Sequence, residues 1–309
     1  MKPLGVVIVT YNAAPVIRDC LESLLASGAN LRVVVIDNAS TDETLRVIED
    51  WQSGRTPYQL RTNLPFCARC ISKPVTTIRT IAATTNGGFA AGVNMGLEFL
   101  LADPELDRFW ILNPDTLVPP DTPAALAAAP GGFSLMGGRI LYADPPHKIQ
   151  IDAGTINRLT GVTSNINLGE AATAGPPDMR NASFISGAHM VASRAFIEAA
   201  GLMPENYFLY YEEVDWAQHR ADLPLSFCPD APVYHRAGTS IGSPTLTSIA
   251  SEFSVFYKHR ARVKYLRRFH PLSWPFGYAY GVIKAAQLAY RGHRPQARAV
   301  LRALHGHPF

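Results

Sequence analysis

The chain has 309 residues, of which 47% are hydrophobic and 17% charged, with a mean hydropathy of +0.03 and a net charge of +3. These figures exclude a disordered, collagen-like or coiled-coil protein and fit a globular one of one large or two small domains. The small net charge conceals a split: residues 1–252 carry 17 Lys+Arg and all 25 Asp+Glu, a balance of −8, whereas residues 253–309 carry 11 Lys+Arg and no acid.

The opening Met1-Lys2-Pro3-Leu4-Gly5 leads into a short apolar stretch without the longer apolar core and cleavage site of a signal peptide, so a cytoplasmic location is expected. Val6 to Thr10 reads as a buried strand, and Pro15 to Ser27 as a helix with Val16, Cys20, Leu21, Leu24 and Leu25 on one face. Val33 to Ile36 is a second strand ending at Asp37-Asn38. Ser40-Thr41-Asp42-Glu43 supplies N-cap chemistry for a helix to about Trp51, and Tyr58 to Leu60 reads as a third strand. This alternation of strand and helix predicts an α/β fold with a parallel sheet. Residues 61–85 read as irregular. The four cysteines make no disulfide scaffold, and Cys67-Ala68-Arg69-Cys70 is a lone CxxC whose zinc would need two further ligands, so incidental thiols are expected.

The small-residue stretch from Asn86 to Gly96 leads into a helix to about Leu101. Arg108 to Leu112 is a strand that stops at Asn113-Pro114-Asp115. Asp37 and Asp115 thus sit at the carboxyl ends of separate strands, where open α/β sheets bind ligands. Beyond a Gly-punctuated region, Ser193 to Ala200 is a helix stopped by Gly201. Tyr207-Phe208-Leu209-Tyr210-Tyr211 then precedes Glu212-Glu213-Val214-Asp215-Trp216, the start of a helix running to about Ala221. Leu225 to Cys228 and Val233 to His235 read as two short strands. Three acids within four residues head a helix, where the macrodipole favours them, or meet a cation.

Seven ordered motifs resemble those of the inverting GT-A glycosyltransferases of family 2, in the bacterial rhamnosyltransferase-like branch that builds cell-surface polysaccharides. They are Val7 to Asn12, Val35 to Asp42, Asn86 to Gly96, Leu112 to Asp115, Ser186 to Ala188, Phe208 to Asp215, and Val233 to His235. The resemblance implies a Rossmann-like, mostly parallel central sheet flanked by helices over residues 1–245. About 1–115 would form the nucleotide half and 116–245 the acceptor half, with a basic helical extension over 246–309. It implies transfer of a sugar, with rhamnose suggested by motif style, from a dTDP- or UDP-sugar to a saccharide or lipid-linked acceptor. A sugar-nucleotide-binding protein of the same fold without turnover, or a membrane scaffold, is the alternative.

By this resemblance Thr10, Tyr11, Asn12 and Asp37 contact base and ribose. An acceptor-only carboxylate suits a pyrimidine N3–H or a ribose hydroxyl. The structural alternatives are an Asx turn for Asp37 and loop packing for Tyr11. Asn86, Gly88 and Asn94 border the donor, near a helix start that favours phosphate; a purely structural helix entry is the rival. Asn113-Pro114-Asp115 stands where relatives carry a D-x-D-like element for Mg²⁺ or Mn²⁺, although Asn113 contributes only an amide oxygen. His235 matches a further ligand of some relatives, and imidazole favours Mn²⁺. Glu213 aligns with the family's catalytic base, one methylene longer than the usual aspartate, with Asp215 as the second candidate. Glu212 or Asp215 could instead cap the helix or pair with Arg220 or Arg236.

The stretch from Phe253 to Phe269 places six Lys+Arg among aromatics, and Leu272 to Tyr290 is apolar but interrupted by Pro275, Gly277, Gly281 and Lys284. Cationic, aromatic-bearing helices suit the inner face of an anionic membrane; packing on the body or a dimer interface is the alternative. No nucleic-acid module is present.

Overall fold

Seven consecutive buried residues form β1 (Leu4–Thr10), and six of seven are buried in β2 (Leu31–Asp37). A strand covered on both faces needs such an unbroken apolar run. The computed structural model describes residues 2–54, 64, 76–236 and 249–309. In it Val6, Ile8, Val33 and Val35 pack with Ile17, Cys20, Leu21 and Leu24 of α1 (Ile17–Leu25) and Ile48 of α2 (Thr44–Gln52). The alternate residues Val7, Val9, Val34 and Ile36 pack with Ala90, Val93, Leu97 and Leu100 of α3 (Phe89–Leu101). Gly92 makes the second contact possible: a Cβ there would lie 2.5 Å from Cγ1 of Val9. The cap residue of α2, Glu43, makes no side-chain bond to the helix, but just before it the Asp42 carboxylate accepts from the Thr44 amide at 3.0 Å.

β3 (Thr76–Ala82) pairs in parallel with β2 along its whole length, Thr76 opposite Leu31 and Ala82 opposite Asp37. This corrects the irregular reading of 61–85 at its C-terminal end. The segment TTIRTIA lies at the sheet edge, where Ile78 and Ile81 pack on the core and Arg79 stays exposed. The expected strand at Tyr58 to Leu60 and the pair Cys67 and Cys70 lie outside the described residues.

On the other side of β1 runs β4 (Arg108–Leu112), also parallel. The remaining strands are β5 (Thr116–Leu117), β6 (Leu135–Tyr142), β7 (Ile149–Ile151), the hairpin β8 (Gly154–Ile156) and β9 (Thr163–Asn165), β10 (His189–Ser193) and β11 (Ser226–His235). The sheet order is β3-β2-β1-β4-β10-β6-β11-β5, with β7 on β6. The chain goes outward from β1 to β2 and β3, then returns to the opposite side for β4. The carboxyl ends of β1 and β4 therefore flank a topological switch point, where a crevice opens. β10 runs antiparallel to β4, His189 opposite Leu112, which brings Ser186 to Ala188 to the same edge. The two short strands expected near 225–235 are one strand, β11, with an irregularity between Cys228 and Val233. Pro229 and Pro232 fall there and have no N–H for the ladder.

Short helices α4 (Thr122–Ala128), α5 (Arg194–Ala200) and α6 (Glu212–Trp216) complete the body. The basic tail forms α7 (Glu252–Phe269), α8 (Trp274–Tyr290) and α9 (Arg294–Leu304). Ala261 and Tyr265 of α7 belong to the same apolar cluster as α3 and α6, so this helix is built into the body. Among the described residues no helix is long and apolar enough to cross a membrane.

Candidate active site

A cleft of about 520 Å³ opens at the switch point, lined by residues from all seven motifs. Tyr11 and Asn38 come from the ends of β1 and β2, Asp115 from beyond β4, His235 from β11, and Glu212 and Glu213 from α6.

The first nucleotide group divides. Tyr11 is 38% exposed and lines the cleft. Thr10, Asn12 and Asp37 spend their polar atoms on the loop after β2. The Thr10 hydroxyl donates to Asp37 at 3.1 Å, and the Ser40 amide donates to the other Asp37 oxygen at 3.0 Å. Asn12 accepts from the Thr41 amide at 2.8 Å. Asp37 is 1% exposed and is not among the residues lining the cleft. The polar side chain that does reach the cleft from β2 is its neighbour Asn38. Its amide nitrogen donates to Asn86 at 3.0 Å and to the Gly88 carbonyl at 2.9 Å, while its oxygen accepts from the Gly87 amide at 3.2 Å. Sequence reasoning missed Asn38, although it stands inside a quoted motif.

Asn86 and Gly88 line the cleft, whereas Asn94 lies behind it, bound to Met203 and Glu205. Gly88 has φ of 91°, and a Cβ there would sit 2.3 Å from the Phe208 carbonyl oxygen, which already accepts from the Phe89 amide at 3.1 Å. The glycine thus lets the α3 entry press directly on the aromatic motif preceding the acids. Gly88→Ala is expected to cost about 1–3 kcal/mol in chemical denaturation and to displace Phe208 from the cleft wall. Unchanged stability would mean that this approach is not needed.

Asp115 and His235 meet because β5 pairs with β11, setting His235 opposite Thr116. His235 Nε2 lies 3.0 Å from the Asp115 carboxylate and 3.3 Å from the Asn113 amide nitrogen, and Nδ1 lies 3.0 Å from Gln150 Oε1. Gln150, supplied by β7, carried no motif signal. Burial alone would lower the His235 pKa, but the charge and the hydrogen bond of Asp115 together outweigh it and hold the imidazole above its ordinary value. With Nδ1–H given to Gln150, the Nε2 lone pair faces a carboxylate, an arrangement that needs a proton or a cation between the two. A carboxylate and an imidazole converging this way fit Mn²⁺ or Mg²⁺. Among the described residues no group of three His, Cys, Asp or Glu could hold a metal, so the protein supplies only part of a coordination shell.

The acid cluster enters on a strained turn: Tyr210 and Tyr211 have φ of 69° and 70°, left-handed values that bulky residues rarely adopt. Glu212 is 3% exposed, and its Oε2 has no hydrogen-bond partner among the described residues. Burial, and then the Glu213 charge, push its pKa well above the carboxylate range. Burial also pushes Glu213 up to about 7, against the opposing pull of backbone amides and the Lys258 ammonium of α7. Asp215 turns the other way. It is fully buried, accepts from Tyr207 at 2.9 Å, and pairs with Arg268 of α7 and His219, each at 3.0 Å. The anticipated partners Arg220 and Arg236 are elsewhere, Arg236 on Asp19 at 2.6 Å. The structure therefore separates the two base candidates, Glu213 into the cleft and Asp215 into an anchor for the tail.

The sheet order and the cleft at its switch point are those of a GT-A fold. Residues 5–129 match the family described as Glycosyl transferase family 2. The chain is 25% identical over 276 residues to an N-acetylglucosaminyl-diphospho-decaprenol L-rhamnosyltransferase of Mycobacterium tuberculosis, spanning 82% of each. It is 23% identical over 268 residues to the low-salt glycan biosynthesis hexosyltransferase Agl10 of Haloferax volcanii, covering 85% of this chain and 75% of the relative. Among solved structures, a mannosyltransferase of Pyrobaculum calidifontis in complex with GDP-Man and Mn²⁺ shares the fold, with TM-score 0.53, 17% identity and 99% and 76% coverage. GalNAc-T7 with UDP, GalNAc and Mn²⁺ superposes with TM-score 0.57 at 12% identity, over 93% of this chain and 51% of that one. The fold is GT-A, and residues 5–129 carry the family 2 glycosyltransferase match that the motif set implied.

Proposed function

We propose that this enzyme moves one hexose or deoxyhexose from a dTDP- or UDP-sugar to a saccharide carried on a lipid diphosphate. The supporting observation is that one cleft holds both an acid of near-neutral pKa, Glu213, and the Asp115–His235 pair. The lipid-linked acceptor and the deoxyhexose are drawn from the relative whose name states an N-acetylglucosaminyl-diphospho-decaprenol rhamnosyltransferase.

In this reading Tyr11 and the Asn38–Asn86 pair border the nucleotide, and Asp115 with His235 holds a divalent cation. The ion, when bound, offsets the charge that builds on the departing diphosphate. Glu213 takes the proton of the acceptor hydroxyl as its oxygen bonds to the anomeric carbon. The bond from that carbon to the diphosphate oxygen breaks in the same displacement, so configuration inverts. Burial and the neighbouring Glu213 charge both disfavour the charged form of Glu212, which limits the second negative charge beside the base.

The test is incubation with Mn²⁺, a panel of dTDP-, UDP- and GDP-sugars and a prenyl-diphosphate N-acetylglucosamine acceptor, read by mass spectrometry. One sugar added to the acceptor from a dTDP- or UDP-donor is expected. Binding of a donor with no release of nucleoside diphosphate would point instead to a sugar-nucleotide-binding protein without turnover.

A further inference from the structure

The helix α8 carries an apolar face that nothing among the described residues covers. Its inner side is narrow: Gly277, Gly281 and Ala285, at spacing four, are buried against α7 and α9, where a Cβ on Gly277 would meet Leu266 and one on Gly281 would meet Leu304. The opposite side exposes Phe276 (55%), Ile283 (58%) and Tyr290 (93%), seven residues apart and hence in line, with Val282 (41%) beside them and Leu272 (90%) just before the helix. The smaller exposed residues between them, Ala279, Ala286 and Gln287, carry no charge. A row of large side chains at this exposure is unfavourable in water and marks an interaction surface.

The surrounding charge indicates the partner. Not one acid occurs from 253 to 309. Arg262 of α7 is buried over the Tyr280 ring at 4.6 Å, and Arg268, partly exposed, is committed to Asp215. The neighbouring α9 leaves Arg294, Arg298 and Arg302 exposed at spacing four, one row of cations along one face. An apolar, aromatic-ended stripe on a helix packed against the arginine-bearing α9 matches the profile of an anionic bilayer, acyl chains below and phosphates above. The helix is too short and too interrupted to cross such a layer.

We propose that α8 lies in the plane of an anionic membrane surface, its Phe276–Ile283–Tyr290 row among the acyl chains and the α9 arginines on lipid phosphates. Because α7 carries both this helical layer and the Arg268–Asp215 link to the helix bearing Glu213, docking would hold the cleft at a fixed orientation to the bilayer. The inference does not rest on the catalytic reading and is tested without turnover.

The full chain is mixed with vesicles of phosphatidylcholine alone or with phosphatidylglycerol, and bound protein is measured by sedimentation. Binding to the anionic vesicles is expected, with at least about tenfold weaker binding for the triple variant Phe276→Ser, Ile283→Ser, Tyr290→Ser and strong salt sensitivity that Arg294→Gln, Arg298→Gln, Arg302→Gln removes. All these side chains are exposed, and unchanged circular dichroism and melting would confirm that the variants fold. Equal binding by wild type and the triple Ser variant, or no binding by wild type, overturns the proposal. Self-association abolished by the Ser variant, without vesicle binding, would overturn it in favour of a protein interface.

Discussion

Glu213→Gln is expected to lower kcat by about 10²- to 10⁴-fold, the range for losing a positioned general base, with donor affinity little changed. Gln keeps the volume and a hydrogen-bonding oxygen but cannot accept the acceptor's proton, so the loss reports chemistry and not collapse of the cleft. The pH profile separates this role from a structural one. Burial holds the Glu213 pKa near 7. The competent form is the carboxylate, so activity should rise as pH passes upward through about 7 and fall about tenfold per unit below it. Glu212 is adjacent and raised by the same burial, so the limb belongs to the pair. Glu213→Gln should erase the limb. A variant that kept it, or kept wild-type kcat, would remove Glu213 from the mechanism.

Asp115→Asn should cost about 10²- to 10³-fold in kcat/KM, comparable to deleting one electrostatic contact to developing charge. It leaves the shape of the Asn113–Asp115 turn and the pairing of β5 with β11 intact, while removing the carboxylate that pairs with His235. The signature is in the ion dependence: the Mn²⁺ concentration needed for half-maximal rate should rise, and Mn²⁺ should no longer raise the melting temperature in the presence of nucleoside diphosphate. Retained Mn²⁺ dependence would show that the ion, if used, is held elsewhere.

Much of this was legible in the chain before folding was considered. β1, β2 and β4 declared themselves through unbroken apolar runs because both their faces are covered, and the residues following them had to gather at one sheet edge. β3 did not, because an edge strand such as TTIRTIA with one exposed side carries a weaker pattern. Residue type also says little about where a carboxylate points. Asp37 was read as a nucleotide contact, and in the fold its oxygens are occupied by Thr10 and Ser40.

Glu213 and Asp215 were both candidates for the base, yet residues two apart on a helix are about 200° apart around its axis. One had to face the cleft and the other the body, and only the position of Arg268, 53 residues further on, decides which. Gln150 and Asn38 escaped for related reasons: one comes from a strand with no motif, and the other is an amide next to a more conspicuous acid. The charge split was visible at once, but not that Arg262 is buried over Tyr280 and Arg268 committed to Asp215, while Arg294, Arg298 and Arg302 stay exposed in one row.

With Glu213 as the acceptor base of a single displacement, the transferred sugar is expected in the configuration opposite to that of the donor, read by NMR on the product of whichever donor supports transfer. A product of retained configuration would contradict this mechanism, since a lone base acting on the acceptor in one displacement cannot return the original anomer.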